Sequence, residues 1–185
     1  MTIQPTLSLK PLDEKTKALV YSSLNTWKKV YSYFSEDLSL GEHVCDLVLR
    51  RIDDGIAFLV LDERNVLQGI ARCTLSYKVL RIEELCVAPW NCASLKAHFI
   101  YQKHKIVKDP TFSSLVVKTG VDAESFLVLR HGVGRFLVSS SENFARGKKL
   151  DRLEVSSLHE TVHFYHKVGF SVSKIHPLAF YKLLQ

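Results

Sequence analysis

Arg130-His131-Gly132-Val133-Gly134-Arg135 is a glycine-rich turn that runs straight into an amphipathic segment. Leu137, Phe144 and Ala145 recur there at helical spacing, and Gly147 lies where a C-terminal stop belongs, which predicts a helix from Arg135 to about Arg146. Glycines ahead of a helix let backbone approach an anion closely, and the unpaired N–H groups of a first turn complement phosphate. Arg130 and Arg135 are candidates for direct phosphate contacts. A bare Gly-x-Gly also makes ordinary tight turns, so its context has to decide.

Downstream, Leu153 to Leu158 reads as a strand and Glu160 to Val168 as a short helix ended by Gly169, followed by two closing strands. That helix carries Phe164-Tyr165-His166-Lys167-Val168-Gly169-Phe170. Phe164 and Phe170 read as core aromatics. Tyr165 differs, because its hydroxyl is a candidate proton donor when held near the end of the preceding strand.

Upstream stands Arg81-Ile82-Glu83-Glu84-Leu85-Cys86-Val87-Ala88-Pro89-Trp90-Asn91, with a strand from Val79 to Val87 closed by Pro89. Adjacent carboxylates on a strand face opposite sides, so one of Glu83 and Glu84 is expected in solvent and the other in a cleft. A solvated edge carrying both is the plainer alternative. Before it, Ile56 to Leu61 and Val66 to Leu75 are β-rich runs joined by Asp62-Glu63-Arg64-Asn65, a hairpin signal. Leu7 to Leu12 predicts a first strand. Asp13 caps a helix built on Leu19, Val20, Leu24, Trp27, Val30, Tyr31 and Phe34, and a second helix runs from about Leu40 to Ile52. Between Asn91 and Leu129 the pattern is irregular: a helix over Ala93 to Val107, a break at Asp109-Pro110, and a short strand over Ser114 to Lys118. The order predicts a mixed α/β layer fold in one domain, residues 1–185, with an insert at 91–129.

The 185-residue length suits one domain whose core folds without disulfides or metal. Four cysteines, Cys45, Cys73, Cys86 and Cys92, are too few for a disulfide scaffold, and no signal peptide is in view, so reduced thiols in the cytoplasm are expected. No apolar run is long enough to span a membrane. A formal net charge of +6 favours an anionic partner, yet the cations are scattered and form no nucleic-acid arm.

Taken in this order, the three stretches resemble the GNAT N-acetyltransferase superfamily over roughly Leu7 to Phe180. The family's Leu-x-Val-x-Pro strand end is matched by Leu85, Val87 and Pro89, and its Gly-x-Gly pyrophosphate turn by Gly132 and Gly134. Its Phe-Tyr, three residues, Gly-Phe helix is matched by Phe164, Tyr165, Gly169 and Phe170. Ala88-Pro89-Trp90-Asn91 with Ser157-Leu158-His159-Glu160 looks like a branch with little assigned biochemistry. Two features depart from the pattern. Leu129 stands where the turn usually begins with Arg or Gln, and about forty residues separate Pro89 from Gly132 where the family has a short connection.

The resemblance implies a mixed central sheet of about six or seven strands, flanked by helices on both faces. It implies acetyl-CoA as acyl donor and direct attack by an amine, a small molecule or a protein amine. The donor would lie along Leu85, Cys86 and Val87 and over Arg130, His131, Gly132, Val133, Gly134 and Arg135. The Val87 N–H would hold the oxyanion and Tyr165 would protonate the departing thiolate. Glu84, Glu83 and Glu154 are the candidate bases, Glu84 slightly favoured, with a water relay as the alternative. The insert either shapes access for the acceptor, forms a partner surface, or is an ordinary surface loop. Cys86, Cys92, His98 and His104 recur at intervals of six but lack zinc-site spacing, so no metal is expected. The sequence leaves room for a homodimer, and for the same fold serving as a silent acyl-CoA-binding or protein-interaction module.

Overall fold

The computed structural model describes residues 8–33, 39–92, 96–117, 127, 130–158 and 161–184. Its elements in chain order are β1 (Ser8–Pro11), α1 (Glu14–Tyr31), α2 (Ser39–Arg51), β2 (Ile56–Leu61), β3 (Leu67–Ser76) and β4 (Val79–Val87). A 3₁₀ turn over Pro89–Asn91 follows, then α3 (Lys96–Lys108), α4 (Pro110–Val117), α5 (Val133–Gly147), β5 (Arg152–Ser156), α6 (Val162–Lys167), β6 (Ser171–Val172) and β7 (Ala179–Leu183). The strands form one seven-stranded sheet in the order β1-β2-β3-β4-β5-β7-β6. Among the described residues only β4 and β5 are parallel; every other neighbouring pair is antiparallel.

The helices cover both faces, and β2 shows why. Its run of apolar residues sends Ala57, Leu59 and Leu61 into one core and Phe58 and Val60 into the other. The first core lies under α1, α2, α3 and α4 and centres on Trp27, whose ring meets Trp90 edge-on at 6.3 Å. The second lies under α5 and α6 and contains Leu137, Leu153, Tyr165 and Phe180. Asp13 caps α1 as expected: its carboxylate accepts from the Thr16 N–H at 2.7 Å while Thr16 Oγ1 accepts from the Asp13 N–H. Among the described residues no helix is long and apolar enough to cross a membrane.

The strand expected over Ser114 to Lys118 is instead the end of α4, with Lys118 outside the described residues. Asp109-Pro110, read as a break, is a helix start. Proline occupies the first helical position, where no N–H is needed, and the Asp109 carboxylate accepts from the N–H groups of Thr111 and Phe112. The described part of the insert is not a surface loop either. Phe99, Ile106, Phe112 and Val116 are buried in the first core. Leu7, Phe34 and His159, named from the sequence, fall outside the described residues, as does Leu129.

Candidate functional site

The pairing of β4 with its neighbours determines the shape of the central cleft. Arg72 pairs with Glu84 and Cys73 with Ile82, so Glu83 is an extra residue on β4, a β-bulge. Before the bulge Leu80 and Ile82 face the second core; after it Cys86 and Ala88 face the first. The alternation has slipped by one, and the expectation that Glu83 and Glu84 face opposite sides fails for that reason. Both lie on the α1/α2 side, bonded to Thr74 and Arg72, which alternate on one face of β3.

Parallel pairing with β5 stops where the bulge begins, at Ile82↔Val155, although β4 runs on to Val87. The Ala88 N–H donates to the Gln68 carbonyl at 2.9 Å. In an antiparallel ladder this makes Gly69↔Val87 a non-hydrogen-bonded pair, so the N–H and C=O of Val87, and by alternation those of Leu85, point away from β3. They face the gap left by β5. Cys86 does not: its backbone serves β3, and its thiol lies in the first core, 3.8 Å from the Cys45 sulfur. Cys86 is thereby corrected from a cofactor contact to a core residue.

The start of α5 closes one end of this gap. Gly132 is left-handed, with φ 78°, and stands at the N-cap without a side-chain cap. The first-turn N–H groups of Val133, Gly134 and Arg135 have no intrahelical acceptor and point outward. Val133 itself is buried against Gly69, where an added Cβ would sit 2.6 Å from its Cγ1. Gly69 thus brings α5 onto the sheet, a role that no local pattern around it signals. A Cβ on Gly134 would lie 3.2 Å from the Phe164 ring and 3.8 Å from Val87 Cγ1. Strand end, glycine turn and aromatic helix therefore converge on one place. Phe164, read as core, is half-buried there. His131 and Arg135 are exposed.

Arg130 is a correction. It is 8% exposed, and its guanidinium is ion-paired with Glu63 and lies 3.5 Å from Asp62, so its charge is already compensated by carboxylates of the β2–β3 turn. Its N–H donates to Asn91 Oδ1 at 2.6 Å, and Asn91 Nδ2 donates to Gln68 Oε1 at 2.7 Å. Trp90 Nε1 donates to the same oxygen, and Gln68 reaches back to Asp62 at 3.0 Å. Asn91 begins the insert and Arg130 directly follows it. This partly buried network ties them together and holds the approach to the glycine turn.

Tyr165 is 5% exposed, its ring set edge-on to Phe164 and Phe170 and tilted against Phe180. Burial raises its phenol well above the ordinary value, with the nearby Cys73 adding to the shift, so it stays protonated across physiological pH. Glu84 is held by Arg72 in a buried two-point ion pair, Nη2 to Oε1 at 3.0 Å and Nε to Oε2. Drawing a proton onto Glu84 would leave Arg72 uncompensated, which removes the preference for Glu84 as base. Glu154 is taken up by Arg81 and Arg152 at 2.7 Å each, at Arg81↔Glu154 in the paired part of the strands. Glu83 also stands at the parting, and it is bonded to a neutral group, the Thr74 hydroxyl. Among the described residues no group of three or more His, Cys, Asp or Glu is placed to hold a metal.

No family model matches the sequence, and no curated relative does. Solved structures do match in shape. A GNAT-family N-acetyltransferase of Escherichia coli, YhbS, in complex with CoA, has a TM-score of 0.60 at 9% identity, covering 100% of this chain and 85% of its own. The PaiA N-acetyltransferase of Thermoplasma acidophilum in complex with coenzyme A has 0.55 at 12%, covering 95% and 96%. A GNAT-family acetyltransferase of Staphylococcus aureus has 0.55 at 9%, covering 97% and 100%. At such identities the likeness is one of architecture, and that architecture, parted parallel strands beside a glycine-led helix, is the GNAT acetyltransferase fold.

Proposed function

We propose that this chain is an N-acetyltransferase, a single catalytic domain that binds acetyl-CoA in the gap between β4 and β5 and passes the acetyl group to an amine. The observation that carries the reading is the outward-facing backbone of Leu85 and Val87, abutting the uncapped start of α5 across Gly134. A pantetheine arm is an amide chain and needs such an unpaired strand edge; a pyrophosphate needs first-turn N–H groups that nothing else uses. The residues present fit both. The bound thioester supplies the activated carbonyl.

The chain's own groups then divide the work. The Val87 N–H faces the gap and stabilises negative charge developing on the carbonyl oxygen. Tyr165, kept protonated by burial, gives its proton to the departing sulfur. Glu83, at the bulge and hydrogen-bonded to Thr74, is the carboxylate placed to take the amine proton, directly or through water. Val133, Gly134 and Arg135 offer the phosphate-facing end of the site, with His131 beside it.

Purified protein given acetyl-CoA and a mixture of amines should release free CoA, read with a thiol reagent. Binding of CoA by calorimetry without such release would favour a silent acyl-CoA-binding module. Absence of binding would remove the reading altogether.

A further inference from the structure

Glu83, the carboxylate placed to take the amine proton, lies on the α1/α2 face of the sheet, whereas Tyr165 is buried in the core on the other face. An amine attacking a thioester held between β4 and β5 therefore arrives from the side that carries Glu83. Over β5 and β7 that face is open. The first core takes residues from β2, β3 and β4 but, among the described residues, none from β5, β6 or β7. Glu154 pairs there with half-buried Tyr181, and exposed Arg152 and Ser156 flank it along β5.

Beside Glu83 this face is built around two guanidiniums. Arg81 precedes Glu83 by two residues on β4, about 7 Å along the strand. Its Nε and Nη2 both donate to Glu154 Oε2, at 3.2 and 2.7 Å, while Arg152 Nε lies 2.7 Å from Oε1. Each oxygen of one carboxylate thus holds a different arginine, which fixes both forks. Arg81 Nη1 and both terminal nitrogens of Arg152 are left without an acceptor among the described residues. The two side chains are 54% and 48% exposed, so the pair is accessible from solvent. Two cations sharing one carboxylate also leave a positive charge over. Planar forks held in this way suit a carboxylate.

An acceptor reaches the face as an ammonium, which Glu83 answers, and the surplus charge beside it calls for an anion on the same molecule. We propose that Arg81 and Arg152 select the acceptor: the chain acetylates amines that carry a carboxylate within about 7 Å of the nitrogen, in preference to neutral or cationic amines. Glu154 is then a positioning residue that aims the two guanidiniums, not a base. The inference rests on the acetyltransferase reading.

Release of CoA from acetyl-CoA tests it, with 5-aminopentanoate, pentylamine and 1,5-diaminopentane as acceptors. The three share a five-carbon chain and differ in the charge of the far end. The carboxylate should raise kcat/KM at least about tenfold over both others, the scale of one charge-assisted contact, and chiefly through KM. Arg152→Glu, at an exposed position, should reverse the order in favour of the diamine while CoA affinity by calorimetry stays the same. Peptides beginning alanyl-aspartyl and alanyl-lysyl identify the source of the carboxylate: the same preference in this pair makes it a protein N-terminus, and a preference confined to 5-aminopentanoate makes it a small molecule. Equal kcat/KM for the three amines, or a lead for the diamine, overturns the inference and leaves acetyl transfer standing. An order unchanged in both Arg152→Glu and Arg81→Gln overturns the assignment to these arginines. If no amine releases CoA, the acetyltransferase reading fails and the inference falls with it.

Discussion

Tyr165 and Glu84 show how much a residue's role depends on what it touches. Both are buried polar groups, yet the phenol sits among aromatic rings and the carboxylate is locked to a guanidinium. Tyr165→Phe keeps the ring and its packing, so the thermal midpoint should shift little while turnover falls roughly 10²-fold, the scale of a lost general acid. A Phe variant as fast as the parent would leave Tyr165 a core aromatic and nothing more. Glu84→Gln should behave in the opposite way, costing about 3 kcal/mol in urea denaturation because Arg72 loses its counter-charge within the interior. Replacing both partners by apolar residues should recover much of that loss. Glu83→Gln belongs with Tyr165: small in stability and large in turnover. A variant with unaltered kinetics would point to a water relay.

At the scale of elements, the decisive joint is the seating of α5 on β3. Gly69 admits Val133 and Leu137 so closely that any Cβ would lie within 3 Å of both. Gly69→Val should therefore push the helix start off the sheet, destabilise the fold by about 1–3 kcal/mol and weaken CoA binding together. Gly134→Leu isolates the second effect. Its side chain meets the Phe164 ring, which has solvent to move towards, so folding should survive while calorimetry shows CoA affinity reduced at least about tenfold. Unchanged affinity in that variant would place the donor elsewhere.

For the whole molecule, the insert is structural. Phe112, fully buried beneath α1, is part of the larger core, and Asn91 and Arg130 close the base of the insert through a partly buried hydrogen bond. Phe112→Ala should cost about 3–5 kcal/mol, measured by chemical denaturation. Excising residues 93–129 for a short Gly/Ser linker should uncover the face of α1 and give protein that binds a hydrophobic dye, rather than a slimmer enzyme with altered acceptor preference. A folded, dye-silent deletion variant would show that the two insert helices are dispensable to the core.

Local chemistry decided what was legible in the sequence. Runs of β-rich apolar residues between turn signals pointed to β2, β3 and β4, helical spacing to α1 and α5, and Asp13 to its cap, because each signal is carried by residues adjacent along the chain. The three stretches that converge on the cleft were legible too, each in its own few residues. What the sequence could not disclose arises between residues far apart along the chain. The slip in alternation at Glu83 depends on how β4 registers against β3, so only the pairing of the strands puts both glutamates on one face. Arg72, Glu63 and Asn91 took Glu84 and Arg130 out of the candidate site, since an ion pair or hydrogen bond across tens of residues leaves no local pattern. Burial, too, is collective: only the packing of α3 and α4 under α1 shows that an irregular basic stretch is core, because exposure belongs to the assembled surface and not to any segment of the chain.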